Sequence, residues 1–181
     1  MGIFDDVAAT AQTLKKQGQR PSKFKPGRYV AVLQEASIKE SEKMKAMGKD
    51  AEYVSAIFEI AQVISGDGHA VGDRARWQGF EGKKAKVAAK MIMGCLGVEK
   101  EDCTPEVAEK FFNGDFNGVP VKFDNFQDSF EQKVNDKPVY DEDGNPVVIS
   151  YVVVNCDRPL TKAEVKEAKL DIDKDILKML D

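Results

Sequence analysis

A chain of 181 residues can bury one sizeable core, and 42% hydrophobic with 32% charged residues is the composition of an ordinary globular protein, not of a disordered chain or a rod. No apolar run approaches the ~20 residues that cross a bilayer. Residues 1–21 lack the basic start, long apolar centre and cleavage site of a signal peptide, and Asp6 breaks the N-myristoylation pattern, so a cytoplasmic protein without membrane contact is expected.

The formal net charge of -4 conceals an asymmetry. Residues 1–98 hold 16 basic against 11 acidic side chains, and residues 99–181 hold 11 against 20. One surface for a polyanion beside a separate acidic segment would give that division, and so would ordinary surface charge.

In chain order, residues 3–17 place Ile3, Phe4, Val7, Ala8, Ala11 and Leu14 on one stripe, an amphipathic helix that Gly18 ends. Pro21 and Pro26 make residues 19–27 an extended basic connector. From Arg28 the period becomes two. Tyr29, Ala31 and Leu33 share one face of a first strand, opposite Val30, Val32 and Ile38. A charged loop rich in lysine (Lys39, Lys43, Lys45, Lys49) leads to a second strand over 52–64, with Val54, Ala56, Phe58, Ile60 and Ile64 on one face and Tyr53, Ser55, Ile57, Glu59 and Ala61 on the other, one of which reads as core. A turn at Gly66-Asp67-Gly68 opens a third strand over about 70–80.

A helix from about Lys83 to Leu96 follows, with Gly97 as its C-cap, then a short one opened by Thr104 and Pro105 and closed by Gly114. Two further strands are read at 118–126 and 147–154, separated by a polar excursion that ends in the Asp141–Asn145 turn. Thr161 and Glu164 form a capping box for a helix running to the C-terminus. The expected organisation is an N-terminal helix (1–20), a main domain (21–158) and an acidic C-terminal helix or tail (159–181). Five antiparallel strands with a helix between the third and fourth, flanked by terminal helices, give a mainly β (α+β) fold laid out as an OB-fold-like Greek-key barrel, an architecture that binds oligonucleotides and oligosaccharides across its second and third strands.

Chemistry is sparse by type. Cys95, Cys103 and Cys156 lack metal-ligand spacing and read as reduced thiols. His69, the single histidine, lies in a turn-forming string and reads as a solvated loop residue, with no nucleophile motif near it. Asp141–Asn145 resembles a fragment of a calcium loop, but Pro146 and the missing bidentate glutamate break it. No phosphate-loop glycine motif occurs, so the chain reads as non-enzymatic, with no cofactor and no metal.

The basic island 74–90 holds the only tryptophan and six basic residues against one acidic. On a strand, Arg74, Arg76 and Gln78 project from one face and Trp77 from the other, so Trp77 reads as core or, alternatively, as a stacking ring. Arginine stays charged, forks onto phosphate and stacks on bases. Candidate phosphate contacts are Arg74, Arg76, Lys83, Lys84, Lys86, Lys23, Lys25 and Arg28. Candidate stacking rings are Tyr53, Phe80 and Phe24, with Trp77 as the alternative.

Lys25-Pro-Gly-Arg-Tyr-Val-Ala-Val-Leu33, Tyr53-Val-Ser-Ala-Ile-Phe-Glu-Ile60, Gly72-Asp-Arg-Ala-Arg-Trp-Gln-Gly-Phe80 and Gly118-Val-Pro-Val121 together resemble the small single-stranded DNA-binding proteins of tailed bacteriophages, over residues ~25–155. That resemblance implies an OB-fold, sequence-tolerant binding of single-stranded DNA in phage replication and recombination, action in the host cytoplasm, and an acidic tail that contacts replication or recombination proteins. Asp171–Asp181 is acidic but holds two lysines and no terminal aromatic, so a packed terminal helix is an equal expectation. A homodimer is the oligomer to look for. The rival reading is a structural or assembly protein that uses its terminal helices for partner contacts and binds no nucleic acid.

Overall fold

The computed structural model of the protein describes residues 20–180, so the expected helix over 3–17 lies outside the described residues. The fold is mainly β, a curled half-barrel sheet with a few helices. Its strands are β1 (Ser22–Lys23), β2 (Gly27–Glu40), β3 (Glu52–Ser65), β4 (Arg74–Gly79), β5 (Pro120–Glu131), β6 (Lys133–Val134), β7 (Lys137–Pro138), β8 (Val148–Val153) and β9 (Cys156–Pro159). The sheet runs β1-β4-β3-β2-β5-β8, with β9 also on β5. The described residues therefore hold nine strands where five were expected. The last expected strand is β8, β9 follows it as a further strand over residues assigned to no element, the basic connector supplies β1, and the polar excursion folds into the small β6–β7 pair.

Alternation builds the core. Val54, Ala56, Phe58 and Ile60 of β3 meet Ala75 and Trp77 of β4 and Ala31, Leu33 and Ala36 of β2, all buried. In β2 the phase slips by one residue: Leu33 pairs with Phe58, Glu35 with Ile57 and Ala36 with Ala56, so Gln34 is bulged out. Odd residues face the core before the bulge and even ones after it. The expected constant phase fails there: the slip moves Ile38 to the face of Val54, its partner, although near the strand end it remains exposed.

Two glycines set the main helix, α2 (Lys84–Leu96), against the sheet; α1 (Glu42–Ala46) is a single turn in the loop before β3. A Cβ on Gly79 would lie 2.6 Å from Val87, and one on Gly94 would lie 2.5 Å from the Cys156 sulfur and 2.9 Å from the Cys156 carbonyl oxygen. Only glycine lets α2 sit that close to β4 and β9. Helix α3 (Pro105–Asn113) begins where expected, the Thr104 hydroxyl accepting from the Val107 N–H and Gly114 closing it at φ 92°.

The single long C-terminal helix is corrected to two short ones, α4 (Lys162–Glu167) and α5 (Lys174–Met179). Lys169 takes a left-handed φ of 53° between them, and Leu160, Val165, Ile176 and Leu180 join the common core. The segment from 159 to 180 is packed rather than a free tail.

β5 leads out of the sheet. Its first half, through Asn125, lies between β2 and β9, but Phe126–Glu131 pairs with β8 alone. Residues 126–153 thus leave the barrel as a two-stranded arm. Its tip turns at Asn135 and Asp136, both at positive φ as a tight hairpin turn requires.

Candidate nucleic-acid interface

β4 displays the basic island as strand geometry dictates. Ala75, Trp77 and Gly79 are buried, while Arg74, Arg76 and Gln78 are half-buried on the outer face. Register with β3 sets Arg74 beside Glu59, Arg76 beside Ile57 and Gln78 beside Ser55. Ile57 and Ser55 are buried although they face outward, which places them beneath the long polar side chains of their neighbours. The Nε of Arg76 is buried and has no hydrogen-bond partner. A buried unsatisfied donor on a cation is costly unless an anion or another acceptor meets it.

β1 pairs with β4 only at Ala75 and Arg76, so the remainder of that edge borders a cleft. The cleft, about 500 Å³, is lined by Lys23, Phe24, Arg76, Trp77, Gln78 and Phe80 on one side and by Ser150, Tyr151, Val152 and Val154 on the other. It occupies the gap between β4 and β8, where the half-barrel does not close. A second cleft of about 420 Å³ shares Trp77 and Val154 with the first and continues past Lys90, Gly94 and Arg158. The two make one groove along the open seam.

At the mouth of the groove Tyr53 and Phe80 stack, ring centroids 5.1 Å apart and planes at 25°. Phe80 is 46% exposed and Tyr53 half-buried, so the pair offers an aromatic surface beside the arginines. Lys23 lines the cleft with Phe80, and Lys83 and Lys86 are exposed just beyond Phe80 in the chain; Lys25 is exposed too, but it is tied through its N–H to His69 in the turn at the other end of β3. Arg28 lies apart, at the far end of β2, where its Nε is 3.8 Å from Asp124. Lys84 is already engaged: its ammonium donates to Asp50 at 2.6 Å and Glu52 at 3.0 Å, and those contacts raise its pKa. It ties α2 to the loop before β3 instead of standing free for a phosphate.

Two expectations are corrected. Phe24 is 3% exposed, packed 4.6 Å from Phe123 and 5.7 Å from Phe58 by ring centroid. Its ring plugs the core while the flanking lysines reach solvent, so it is no platform for a base. His69 is likewise buried. Its Nε2 accepts the Lys25 N–H at 3.1 Å, its ring meets Tyr29 edge-on, and Asp73 lies 3.7 Å from Nδ1. Burial outweighs the pull of Asp73 and lowers its pKa, so the neutral ring is a structural tie between the connector and the turn. Trp77, 7% exposed, follows the core reading, although it lines both clefts.

Tyr151 was missed. The run from Val147 to Val154 is apolar on both faces, so periodicity could not show which side chains would remain exposed. In the fold Tyr151 lines the cleft opposite Arg76, and its hydroxyl donates to Asp128 at 2.8 Å. Among the described residues no group of three or more His, Cys, Asp or Glu is arranged to hold a metal ion. The Asp141 carboxylate accepts the N–H groups of Asp143 and Asn145 and so caps its own turn. Cys95 and Cys156 are free thiols with sulfurs 3.9 Å apart, and burial, first among the causes, pushes the Cys156 thiol well up. No helix among the described residues is long and apolar enough to cross a membrane. No family model and no curated protein matches the chain.

Proposed function

We propose that the protein is a non-enzymatic, sequence-tolerant single-stranded DNA-binding protein acting in phage DNA replication or recombination, as its resemblance implies. The observation that carries the reading is the open seam. Arg76 with an unpartnered Nε, Lys23 and the Phe80 edge of an aromatic pair converge on one groove. Single-strand binders join a cationic track for the backbone to rings on which bases stack. A duplex, with its bases already paired and stacked, could use the cations alone.

The pairing order supports taking the half-barrel as an OB-fold. β2, β3 and β4 form a meander, α2 follows, and β5 returns to the far side of β2. In that scheme ligands lie across the second and third strands, here β3 and β4. The acidic residues Asp171, Asp173 and Asp175 then offer replication or recombination proteins a surface anchored by Ile176 and Leu180.

One observation favours the rival, a structural or assembly protein. The arm exposes apolar side chains that the groove does not use, although the described terminal helices are packed. Anisotropy of labelled oligo(dT), titrated beside the matching duplex at low salt, separates the two readings. Preference for the single strand supports DNA binding, and absence of binding to either leaves an assembly protein.

A further inference from the structure

The arm has two unlike faces. Pairs directly opposite across β5 and β8 share a face, so Phe126, Phe130, Ile149 and Tyr151 fall together on one side, with Asp128 among them. Phe126 and Phe130 are 51% and 52% exposed, and nothing within the described chain covers them. Residues 126–155 also hold six acidic side chains against two lysines. An aromatic stripe on an arm of that net charge suits a basic protein surface with apolar ground between its charges.

The same molecule presents such a surface. Of the six basic side chains in residues 74–90, Lys84 is tied to Asp50 and Glu52 and Arg74 lies beside Glu59, while Lys83, Lys86 and Lys90 are exposed and Arg76 half-buried, and Phe80 stands exposed among them. We propose that the arm of one copy docks on the basic β4–α2 face of a second copy, a head-to-tail contact. A two-fold contact of arm against arm would bring two acidic surfaces together, and the charge opposes it. Each copy carries one arm and one basic face, so the association extends from copy to copy. Screening weakens it as salt rises.

The contact goes beyond the DNA-binding reading and is tested without DNA. Sedimentation velocity at low salt should show concentration-dependent chains of the unmodified protein that dissolve as salt is raised. An arm variant, Phe130→Ser/Glu131→Lys, changes two exposed residues that do not line the groove. A face variant, Arg74→Glu/Lys83→Glu, changes the other partner. Each alone should be monomeric, and a 1:1 mixture should form a dimer that grows no further, because only one arm and one face remain intact. That dimer also shows that both variants fold. An unmodified protein that stays monomeric at low salt, or a mixture that forms no dimer, overturns the proposal. Because the arm variant keeps the groove, its affinity for oligo(dT) reports on the DNA-binding reading separately.

Discussion

Tyr53 and Phe80 lie in different strand regions, 27 positions apart in the chain, yet their rings stack at 5.1 Å beside Arg76. β3 and β4 run antiparallel with Val54 opposite Gly79, so the next residue outward on each strand falls into register. Phe80→Ala should therefore weaken oligo(dT) binding by about 1–3 kcal/mol, roughly 5- to 150-fold, while leaving the thermal midpoint nearly unchanged. Phe80→Tyr, which keeps the ring, should restore it. Anisotropy titration beside a melting curve reads both, and an unchanged affinity for Phe80→Ala would remove the ring pair from the interface.

Arg76 and Lys84 predict opposite outcomes although both are basic. Arg76→Met keeps an apolar stem over Ile57 and removes the charge, and loss of a charge-assisted contact should cost about 1.5–3 kcal/mol of DNA affinity. Lys84→Met should change affinity far less, because its ammonium is held by Asp50 and Glu52. Its effect belongs to the loop over 41–51, where amide hydrogen exchange should quicken.

Gly94→Ala tests the packing of α2 on β9. The new methyl would meet the Cys156 sulfur, Cβ and carbonyl oxygen at 2.5, 2.6 and 2.9 Å, and the last of these is backbone. Forced separation of helix and strand should cost ~1–3 kcal/mol, read as a lower urea midpoint. Gly82→Ala isolates backbone strain from contact, since a Cβ there meets nothing within 4 Å while φ is 75°, a left-handed conformation that alanine adopts at a cost.

His69 gives a pH dependence of definite sign. Burial holds its pKa below the ordinary 6.5 in the folded protein, so the unfolded chain binds more protons and stability rises with pH. The contribution is complete above about 6.5 and is lost as pH falls from there toward the lower folded value. Unfolding midpoints at pH 7.5 and 5.5 should differ in the native protein and converge in His69→Gln, which retains an acceptor for the Lys25 N–H. Glu164, held at about 2 chiefly by Arg158, adds its own loss only in more acid solution.

The long strands and both main helix caps were legible because alternation and capping residues are local signals. Thr104 and Thr161 cap where their sequence places them. What escaped depends on pairing. The bulge at Gln34 arises from register between β2 and β3. Phe24 sits between two lysines, and only its descent beneath β4 makes it core. The exposure of Tyr151 follows from an arm that leaves the sheet, while its own run of valines reads as an interior strand. Lys169 at φ 53° breaks a C-terminal helix that residue types alone would continue.

Binding at the open seam is tested most directly by the affinity of labelled oligo(dT) across a salt series, from about 50 to about 200 mM, for the native protein and Arg76→Met. Anisotropy of the labelled strand is the suitable signal, since Trp77 is buried. The account predicts a linear fall of log affinity with log salt and a slope shallower by about 1 in Arg76→Met. No binding at the lowest salt, or an affinity indifferent to salt, would contradict it.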